Sequence, residues 1–214
     1  MHLMPDGPIV LFGGSFDPPT LAHTQLPPIA AEILGASRLV YIPAAISPHK
    51  VDRPPTNAND RVAMLRLAIA HCPEAELDLR ELDRPAPSYA IDTLTQWRTD
   101  VGPDVPIRLL IGTDQAHAFH RWHRWQDILA LASPAVLVRS DDDVEDVLRD
   151  IAAGQGHDAI SQWRSWMVNT PRMPQQSTLT RSLAKLGESL DQCVSHDVGT
   201  YIREHALYRG SIAT

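Results

Sequence analysis

Short apolar runs alternate with helix-like segments along most of this chain, and this alternation constrains the fold more than any other feature. The first run, PIVLF at 8–12, stops at Gly13-Gly14, and RLVYI at 38–42 and IRLLI at 107–111 have the same character. Apolar runs of this length without polar alternation are typical of strands buried on both faces of a parallel sheet. We therefore predict an α/β fold, a Rossmann-like open parallel sheet with helices on both faces.

The remaining pattern extends this alternation to the end of the chain. Further strands are predicted at 76–82, 135–138 and 166–168, and helices at 21–34, 60–71, 89–98, 125–132, 144–153, 177–186 and 194–205. Pro27-Pro28 are expected to interrupt the first helix, because proline lacks the N–H that a helix interior needs. A length of 214 residues suits one domain over 1–214, with a small helical C-terminal part from about 172 to 214.

Composition excludes several classes of protein. With 43% hydrophobic and 21% charged residues, the chain is neither disordered nor collagen-like. Its longest apolar stretch, 128–138, is shorter than the roughly 18 residues of a membrane span, and the N-terminus has no signal-peptide pattern. Cys72 and Cys193 form no CxxC motif and are interpreted as free thiols of a reducing compartment. We therefore expect a cytoplasmic protein without a membrane partner.

The net charge of −7 argues against a nucleic-acid partner, because nucleic-acid binding favours a basic surface. A small anionic ligand needs only a local group of cations and backbone N–H donors, so such a ligand stays compatible with the composition. The sequence leaves the oligomeric state open, a homo-oligomer included.

Polar, glycine-bearing stretches follow three of the predicted strands. They are GGSFDPPTLAH at 13–23, PAAISPHK at 43–50 and GTDQAHAF at 112–119. Because ligands of open parallel sheets bind outside the carboxyl ends of the strands, these stretches are predicted to meet at one site. Thr20 and His23 lie in the first turn of a predicted helix, where a hydroxyl and an imidazole can bind phosphate oxygens.

Each of these signals also has a structural interpretation. Thr20 can serve only as a helix cap, and His23 can be an ordinary surface residue. Gly13-Gly14 match neither the GxGxxG fingerprint nor a P-loop, and a tight turn explains them equally well. The surrounding residues are needed to choose between these alternatives.

GGSFDPPTLAH resembles the GGTFDPxHxGH element of the nucleotidyltransferase superfamily, whose signature is HxGH or TxGH. Further segments, in order along the chain, resemble those of nicotinate-nucleotide adenylyltransferases. They are SPHK at 47–50, RVAMLRLAI at 61–69, PSYAIDTL at 87–94, IGTD at 111–114, the aromatic residues Trp122 and Trp125, QSTLTR at 176–181 and VGTYIREHALY at 198–208. Because the resemblance runs from about Ile9 to Tyr208, the chain is identified as a member of that family.

The resemblance implies a reaction. Members of the family transfer the adenylyl group of ATP to nicotinate mononucleotide, giving nicotinate adenine dinucleotide and pyrophosphate in NAD biosynthesis. This is a direct in-line attack without a covalent intermediate, and it requires charge cancellation and alignment. Two alternatives stay open: a sister adenylyltransferase using nicotinamide mononucleotide or another phosphate acceptor, and a non-catalytic nucleotide-binding paralogue. Retention of His23, Lys50 and Arg181 argues against the paralogue.

The resemblance also assigns roles to residues. The predicted catalytic residues are His23, Thr20, Lys50 and Arg181. The predicted ATP-binding residues are Gly13, Gly14, Ser15, Phe16, Thr20, His23, Gly112, Asp114, Ser177, Thr178 and Arg181. The predicted mononucleotide-binding residues are Lys50, Ser88, Tyr89, Thr93 and Trp122, with Trp122 stacked on the pyridine ring. The implied cofactor is Mg²⁺, held mainly by ATP phosphates and water rather than by protein ligands.

The chain departs from the family pattern at a few positions. Ala22 replaces a glycine, Thr20 stands where many members have histidine, and Gln176 replaces a serine of the phosphate-binding turn. These changes leave an altered activity or substrate open. His117, His120 and His123 recur every three residues, which suggests either a metal site or a polar loop rim. The rim is favoured because no fourth ligand is nearby.

Overall fold

Six parallel strands form one sheet in the order β3-β2-β1-β4-β5-β6. The computed structural model describes residues 3–4, 6–48, 55–139 and 143–209. Its strands are β1 (Ile9–Gly14), β2 (Arg38–Pro43), β3 (Ala75–Leu77), β4 (Ile107–Gly112), β5 (Ser133–Arg139) and β6 (Met167–Thr170). The predicted parallel α/β sheet is confirmed.

Helices connect successive strands and continue beyond the sheet. They are α1 (Leu21–Ile33), α2 (Ala58–Ile69), α3 (Ala90–Val101), α4 (Thr113–His117), α5 (Trp125–Leu131), α6 (Val144–Gln155), α7 (Ala159–Ser165), α8 (Ser177–Leu186) and α9 (His196–Glu204). A 3-10 turn at Phe119–Arg121 precedes α5. Among the described residues, no helix combines the length and the apolar character needed to cross a membrane.

Alternate residues of the strands enter separate cores on the two faces of the sheet. Ile9 and Leu11 of β1 pack into a core with residues of α3, α5 and α6, whereas Val10 and Phe12 pack into a core with residues of α1 and α2. This period of two is the geometry of an extended strand. Helices therefore cover both faces, as the sequence predicts.

A third core joins the C-terminal part to α2. Met64 and Ala68 of α2 pack with Cys193, Val198 and Ile202, and all five are buried. The C-terminal helices are thus attached to the rest of the fold through α2, one of the helices that cover the sheet. The prediction of a single domain over 1–214, with a C-terminal part from about 172, stays a prediction.

Two local predictions were wrong. The prolines do not interrupt α1: the carbonyl of His23, which lacks an N–H partner at Pro27, accepts a hydrogen bond from the buried Tyr41 hydroxyl at 3.1 Å. The strand predicted at 76–82 ends at Leu77, because Asp78 instead pairs with Arg80 and accepts the indole N–H of Trp97 at 3.0 Å.

The sheet order places a topological switch point between β1 and β4. The chain leaves β1 toward β2 on one side, whereas β4 continues toward β5 on the other. Gly14 at the end of β1 lies beside Pro43 at the end of β2, and β4 ends at Gly112 on the same edge. Ligands of such folds bind at this point, so the polar stretches do converge as predicted.

Candidate active site

The turn after β1 is built over the buried ring of Phe16. A Cβ atom at Gly14 would lie 3.0 Å from Cζ of this ring, so a larger residue would need the ring to move by a few tenths of an ångström. Phe16 has a φ of 47°, in the left-handed region, and its ring lies 5.5 Å from the imidazole of His23. Phe16 was predicted to contact ATP, but its side chain is only 2% exposed. The Phe16 ring packs against the turn at Gly14 and against the imidazole of His23.

Thr20 orients the imidazole of His23. The Thr20 backbone N–H donates to His23 Nδ1 at 3.0 Å, and Thr20 Oγ1 lies 2.7 Å from the same nitrogen. Because Nδ1 accepts the N–H, the neutral ring carries its proton on Nε2. Thr20 is only 1% exposed. These contacts give Thr20 a positioning role through His23, and its predicted contact with phosphate stays a prediction.

The start of α8 packs on this same turn. Ser177 Oγ donates to the carbonyl of Pro18 at 2.9 Å, and the Arg181 guanidinium donates to the carbonyl of Asp17 at 2.7 Å. The guanidinium also lies 3.3 Å from Thr178 Oγ1. The structure therefore brings the QSTLTR segment to the GGSFDPPTLAH segment. The starts of α1 and α8, each with a positive dipole end, therefore lie close together.

A buried arginine that sequence reasoning did not single out holds the site loops together. Arg61 of α2 is 1% exposed. Its guanidinium donates to four carbonyls at 2.8 to 3.1 Å, those of Ser15, Ala44, Ala45 and Thr56. Burial lowers the pKa of Arg61, and the nearby Asp17 carboxylate partly opposes this effect. The signal in the sequence was an arginine inside the apolar run RVAMLRLAI.

Asp17 is a second residue that sequence reasoning passed over. Its carboxylate accepts the Tyr208 hydroxyl at 2.7 Å and the Thr56 N–H at 3.2 Å. Asp17 is 8% exposed, so these contacts replace the water that a carboxylate otherwise needs. Asp17 and Tyr208 appeared in the sequence only as letters of two separate motifs.

On the other side of the switch point, Ser88 and Thr93 are tied into the protein. Ser88 Oγ accepts the N–H of Ala45 at 2.9 Å, which connects the start of α3 to the loop after β2. Thr93 donates to Glu81 Oε1 at 2.5 Å and accepts from Arg84 at 2.6 Å. Both hydroxyls are buried and paired within the protein, and their predicted contact with the mononucleotide stays a prediction. They position the beginning of α3.

Glu81 is the buried acid of this network and was missed at the sequence level. It is 7% exposed. Burial raises its pKa, while the hydrogen bond from Thr93 and the charge of Arg84 oppose the rise. A strand was predicted across this position, and a strand prediction gives no reason to expect a buried carboxylate.

Tyr89 and Trp122 lie on segments that contact one another. The ring of Tyr89, directly before α3, is 4.7 Å from the ring of His123. Trp122 is half-buried and stacks on Phe119, with ring centroids 5.1 Å apart and planes at 29°. Phe119 is fully buried, so the Trp122 ring is held in a fixed orientation at the protein surface.

The end of β4 leaves space for a ligand. A Cβ atom built at Gly112 meets nothing within 4 Å, and Asp114 in the first turn of α4 is exposed. Both positions are compatible with the predicted ATP contacts. Lys50 and the neighbouring His49 lie outside the described residues.

The three regularly spaced histidines do not converge. His117 pairs with Asp150 at 2.7 Å, His120 lies against Gly154, and His123 lies against Tyr89. Within the described ranges, no group of three or more His, Cys, Asp or Glu residues is arranged to hold a metal ion.

Comparison with known proteins places this geometry in a family. The family model described as cytidylyltransferase-like matches residues 11–183. The nicotinate-nucleotide adenylyltransferase of Escherichia coli O157:H7 is 35% identical over 208 residues, covering 93% of this chain and 97% of that protein. The enzyme of the same name from Escherichia coli O6:H1 strain CFT073 gives the same values.

Solved structures with low sequence identity share the fold. Plasmodium falciparum nicotinic acid mononucleotide adenylyltransferase complexed with NaAD superposes with a TM-score of 0.72 at 17% identity, covering 94% of this chain and 97% of that one. The same Plasmodium enzyme complexed with APC gives a TM-score of 0.71 at 16% identity with the same coverage. At these identities the similarity concerns the fold.

Proposed function

Because the chain belongs to the cytidylyltransferase-like family and, within it, to the nicotinate-nucleotide adenylyltransferases, we propose that it joins nicotinate mononucleotide to the adenylyl group of ATP. The products are nicotinate adenine dinucleotide and pyrophosphate, and the reaction is a step of NAD biosynthesis. One juxtaposition carries this function: the His23 turn and the start of α8 with Arg181 meet at the switch point of the sheet.

The chemistry needs charge cancellation more than a base. The attacking phosphate of the mononucleotide is already ionised near neutral pH, so its approach to ATP is opposed mainly by repulsion between anions. Arg181, Nε2–H of His23 and the N–H groups at the starts of α1 and α8 supply positive charge and donors. We assign His23 to the α-phosphate, where negative charge develops, and Ser177, Thr178 and Arg181 to the β- and γ-phosphates.

The mononucleotide is assigned to the opposite side of the switch point. Trp122, fixed by Phe119, offers a flat face to a pyridine ring. The first N–H groups of α3, directly after Tyr89, have no acceptor within the helix and suit a carboxylate. A carboxylate gains from this positive helix end and an uncharged amide does not, so we expect preference for the acid form.

A divalent metal accompanies ATP in this family, and we propose Mg²⁺. Around the turn, Arg181 and His23 supply cationic or donor groups, and the Asp17 carboxylate already accepts from Tyr208 and Thr56. Among the described residues, no group of three or more potential ligands gathers there to bind a metal. This donor set fits a metal held by phosphate oxygens and water, since Mg²⁺ keeps several waters. When bound, the metal neutralises phosphate charge beside Arg181.

The test is pyrophosphate release from ATP, with nicotinate mononucleotide and nicotinamide mononucleotide compared side by side. We expect rapid release with the acid and little with the amide. Equal or faster release with the amide would identify a sister adenylyltransferase instead. Binding of ATP without release in the presence of either acceptor would identify a non-catalytic nucleotide-binding paralogue.

A further inference from the structure

Asp17 joins segments that are far apart in the chain. Its carbonyl accepts Arg181, and its two carboxylate oxygens accept the Tyr208 hydroxyl and the Thr56 N–H. The residue therefore touches α8, the chain end after α9 and the segment before α2. Arg181 belongs to the proposed triphosphate site, whereas Tyr208 lies outside it. The Tyr208 hydroxyl is hydrogen-bonded to Asp17, and Tyr208 also lies within range of the Arg181 charge. Asp17 therefore gives the hydrogen-bonded connection from Tyr208 to the proposed phosphate site.

The turn after α9, at residues 206–208, is held in an unusual backbone conformation. Ala206 and Tyr208 have φ values of 50° and 63°, in a region that side-chain-bearing residues rarely adopt. The turn is closed by the Leu207 N–H on the Ile202 carbonyl at 3.0 Å and by the Tyr208 hydroxyl on Asp17 at 2.7 Å. Burial, and next the charge of Asp17, raise the pKa of Tyr208, so its hydroxyl stays protonated and remains a donor.

We propose that Tyr208 is a positioning residue for adenylyl transfer. Its hydroxyl holds the Asp17 carboxylate, and through Asp17 it sets Arg181 and the Thr20–His23 turn against the ATP phosphates. This inference rests on the function proposed above. It predicts an effect on the ATP side of the site, because the mononucleotide side at Tyr89 and Trp122 shares none of the described hydrogen bonds of Asp17.

The chain offers a matched control for this tyrosine. The Tyr201 hydroxyl, on α9, donates to the carboxylate of Asp60 at 2.9 Å. Both tyrosines therefore tie the C-terminal segment to an aspartate near α2. Only the Tyr208 pair includes a residue that contacts Arg181. Each hydroxyl can be removed separately. Loss of the Tyr201 hydroxyl tests attachment of the C-terminal segment alone, whereas loss of the Tyr208 hydroxyl tests both attachment and alignment of the site.

The experiment compares Tyr208→Phe with Tyr201→Phe in the full chain, by thermal melting and by initial rates with each substrate varied. For Tyr208→Phe we expect kcat to fall about tenfold and KM for ATP to rise severalfold, while KM for nicotinate mononucleotide stays within about twofold. For Tyr201→Phe we expect kcat and both KM values near those of the wild type. A similar fall in melting temperature for the two variants leaves this kinetic contrast intact.

Several results would overturn the proposal. They are unchanged kinetics in Tyr208→Phe, equal increases in the two KM values, and the same kinetic loss in Tyr201→Phe. Each would show that Tyr208 only attaches the chain end. If Tyr208→Phe does not fold, Asp17→Ala gives the same comparison. Alanine has no oxygen to accept from Tyr208 or Thr56, so the same loss on the ATP side is expected, and wild-type kinetics would reject the proposal.

Calorimetric titration with a non-hydrolysable ATP analogue separates this inference from the proposed function. No acceptor is present in that measurement. Weaker analogue binding by Tyr208→Phe than by Tyr201→Phe supports the positioning role even if the wild type proves inactive with nicotinate mononucleotide. Equal binding by both variants and the wild type, together with unchanged rates, contradicts it.

Discussion

At the scale of single residues, backbone carbonyls rather than carboxylates accept the hydrogen bonds of the two arginines that hold the turn after β1, Arg61 and Arg181. Arg61 donates to carbonyls of the loops after β1 and β2, and Arg181 donates to the carbonyl of Asp17. Hydrogen bonds between a charged group and the backbone are stronger than neutral ones and are directional. They fix the loops while leaving the charge of the cation uncancelled, which suits a site for phosphates.

The orientation of His23 leads to the first prediction. His23→Ala removes the Nε2–H donor assigned to the α-phosphate, so we expect turnover to fall about a hundredfold or more, with ATP affinity only modestly reduced. Steady-state rates and calorimetry of ATP binding measure the two effects separately. His157→Ala, at an exposed position between α6 and α7, is the control. Unaltered turnover in His23→Ala would remove this residue from the mechanism.

Arg61 gives a prediction about stability. Arg61→Lys replaces a planar donor fork with a single ammonium group that cannot reach all four carbonyls. We expect the free energy of unfolding to fall by about 2–4 kcal/mol, because buried carbonyls lose their partners. Arg66→Lys, exposed on the same helix, should change it by less than about 0.5 kcal/mol. Urea denaturation decides, and equal stabilities would show that Arg61 is not the clamp described here.

At the scale of elements, the starts of α1, α3 and α8 organise the site, and serines at the starts of α3 and α8 bond to loops elsewhere in the fold. Ser88 fastens the start of α3 to the loop after β2, and Ser177 fastens the start of α8 to the turn after β1. The segment with Trp122 contacts the start of α3 through the rings of Tyr89 and His123. The binding sites that we propose for ATP and for the mononucleotide are therefore built from different elements.

This division predicts a separation of Michaelis constants. Trp122→Ala removes the proposed stacking surface, so we expect KM for nicotinate mononucleotide to rise by about tenfold or more, while KM for ATP changes little. Trp122→Phe keeps an aromatic face and should recover much of the loss. If the two KM values rise together in Trp122→Ala, the ring is not a platform for the mononucleotide.

The buried acid behind α3 predicts a pH dependence of stability. Burial raises the pKa of Glu81 in the folded state above its ordinary value of 4.5, so the folded protein binds this proton more tightly than the unfolded chain. The resulting stabilisation is fully present below pH 4.5 and is lost as pH rises through the raised pKa. The unfolding free energy of the wild type, relative to Glu81→Gln, should therefore decrease between about pH 4 and pH 7. A constant difference across this range would contradict the assignment.

The sequence predicts elements with strong periodicity better than elements shaped by contacts. The buried strands and α2, α3, α6 and α8 were anticipated because their apolar patterns are local. The five-residue α4 was not predicted, since so short a helix has little periodicity and forms only with tertiary support. The seven-residue α7 was not predicted either, although α5 of the same length was. Motifs located the segments to which we assign phosphate binding. The residues that hold those segments depend on contacts between distant parts of the sequence. The Tyr208 hydroxyl, for example, bonds to Asp17, which lies 191 residues earlier, and no local pattern predicts such a contact.

At the scale of the whole molecule, the C-terminal part shares both a core and the site with the sheet. Cys193 and Val198 pack against α2, and Arg181 and Tyr208 contact the turn after β1. A unit that shares its core with another unfolds with it, unless the shared interface is small. This arrangement leads us to expect that the molecule unfolds as one cooperative unit, consistent with the prediction of a single domain.

The chain contains probes that test this expectation. All five tryptophans precede the C-terminal part, at 97, 122, 125, 163 and 166, so their fluorescence follows the sheet and its helices. Cys193 is 6% exposed in the C-terminal core, so its thiol reacts only when that core opens. In a Cys72→Ser background, where Cys193 is the remaining cysteine, the urea midpoints of fluorescence and of thiol reactivity should coincide. Earlier exposure of Cys193 would instead show that the C-terminal helices detach first. ATP binding, which we assign partly to Arg181, should then be lost together with thiol protection, while the fluorescence of the sheet persists.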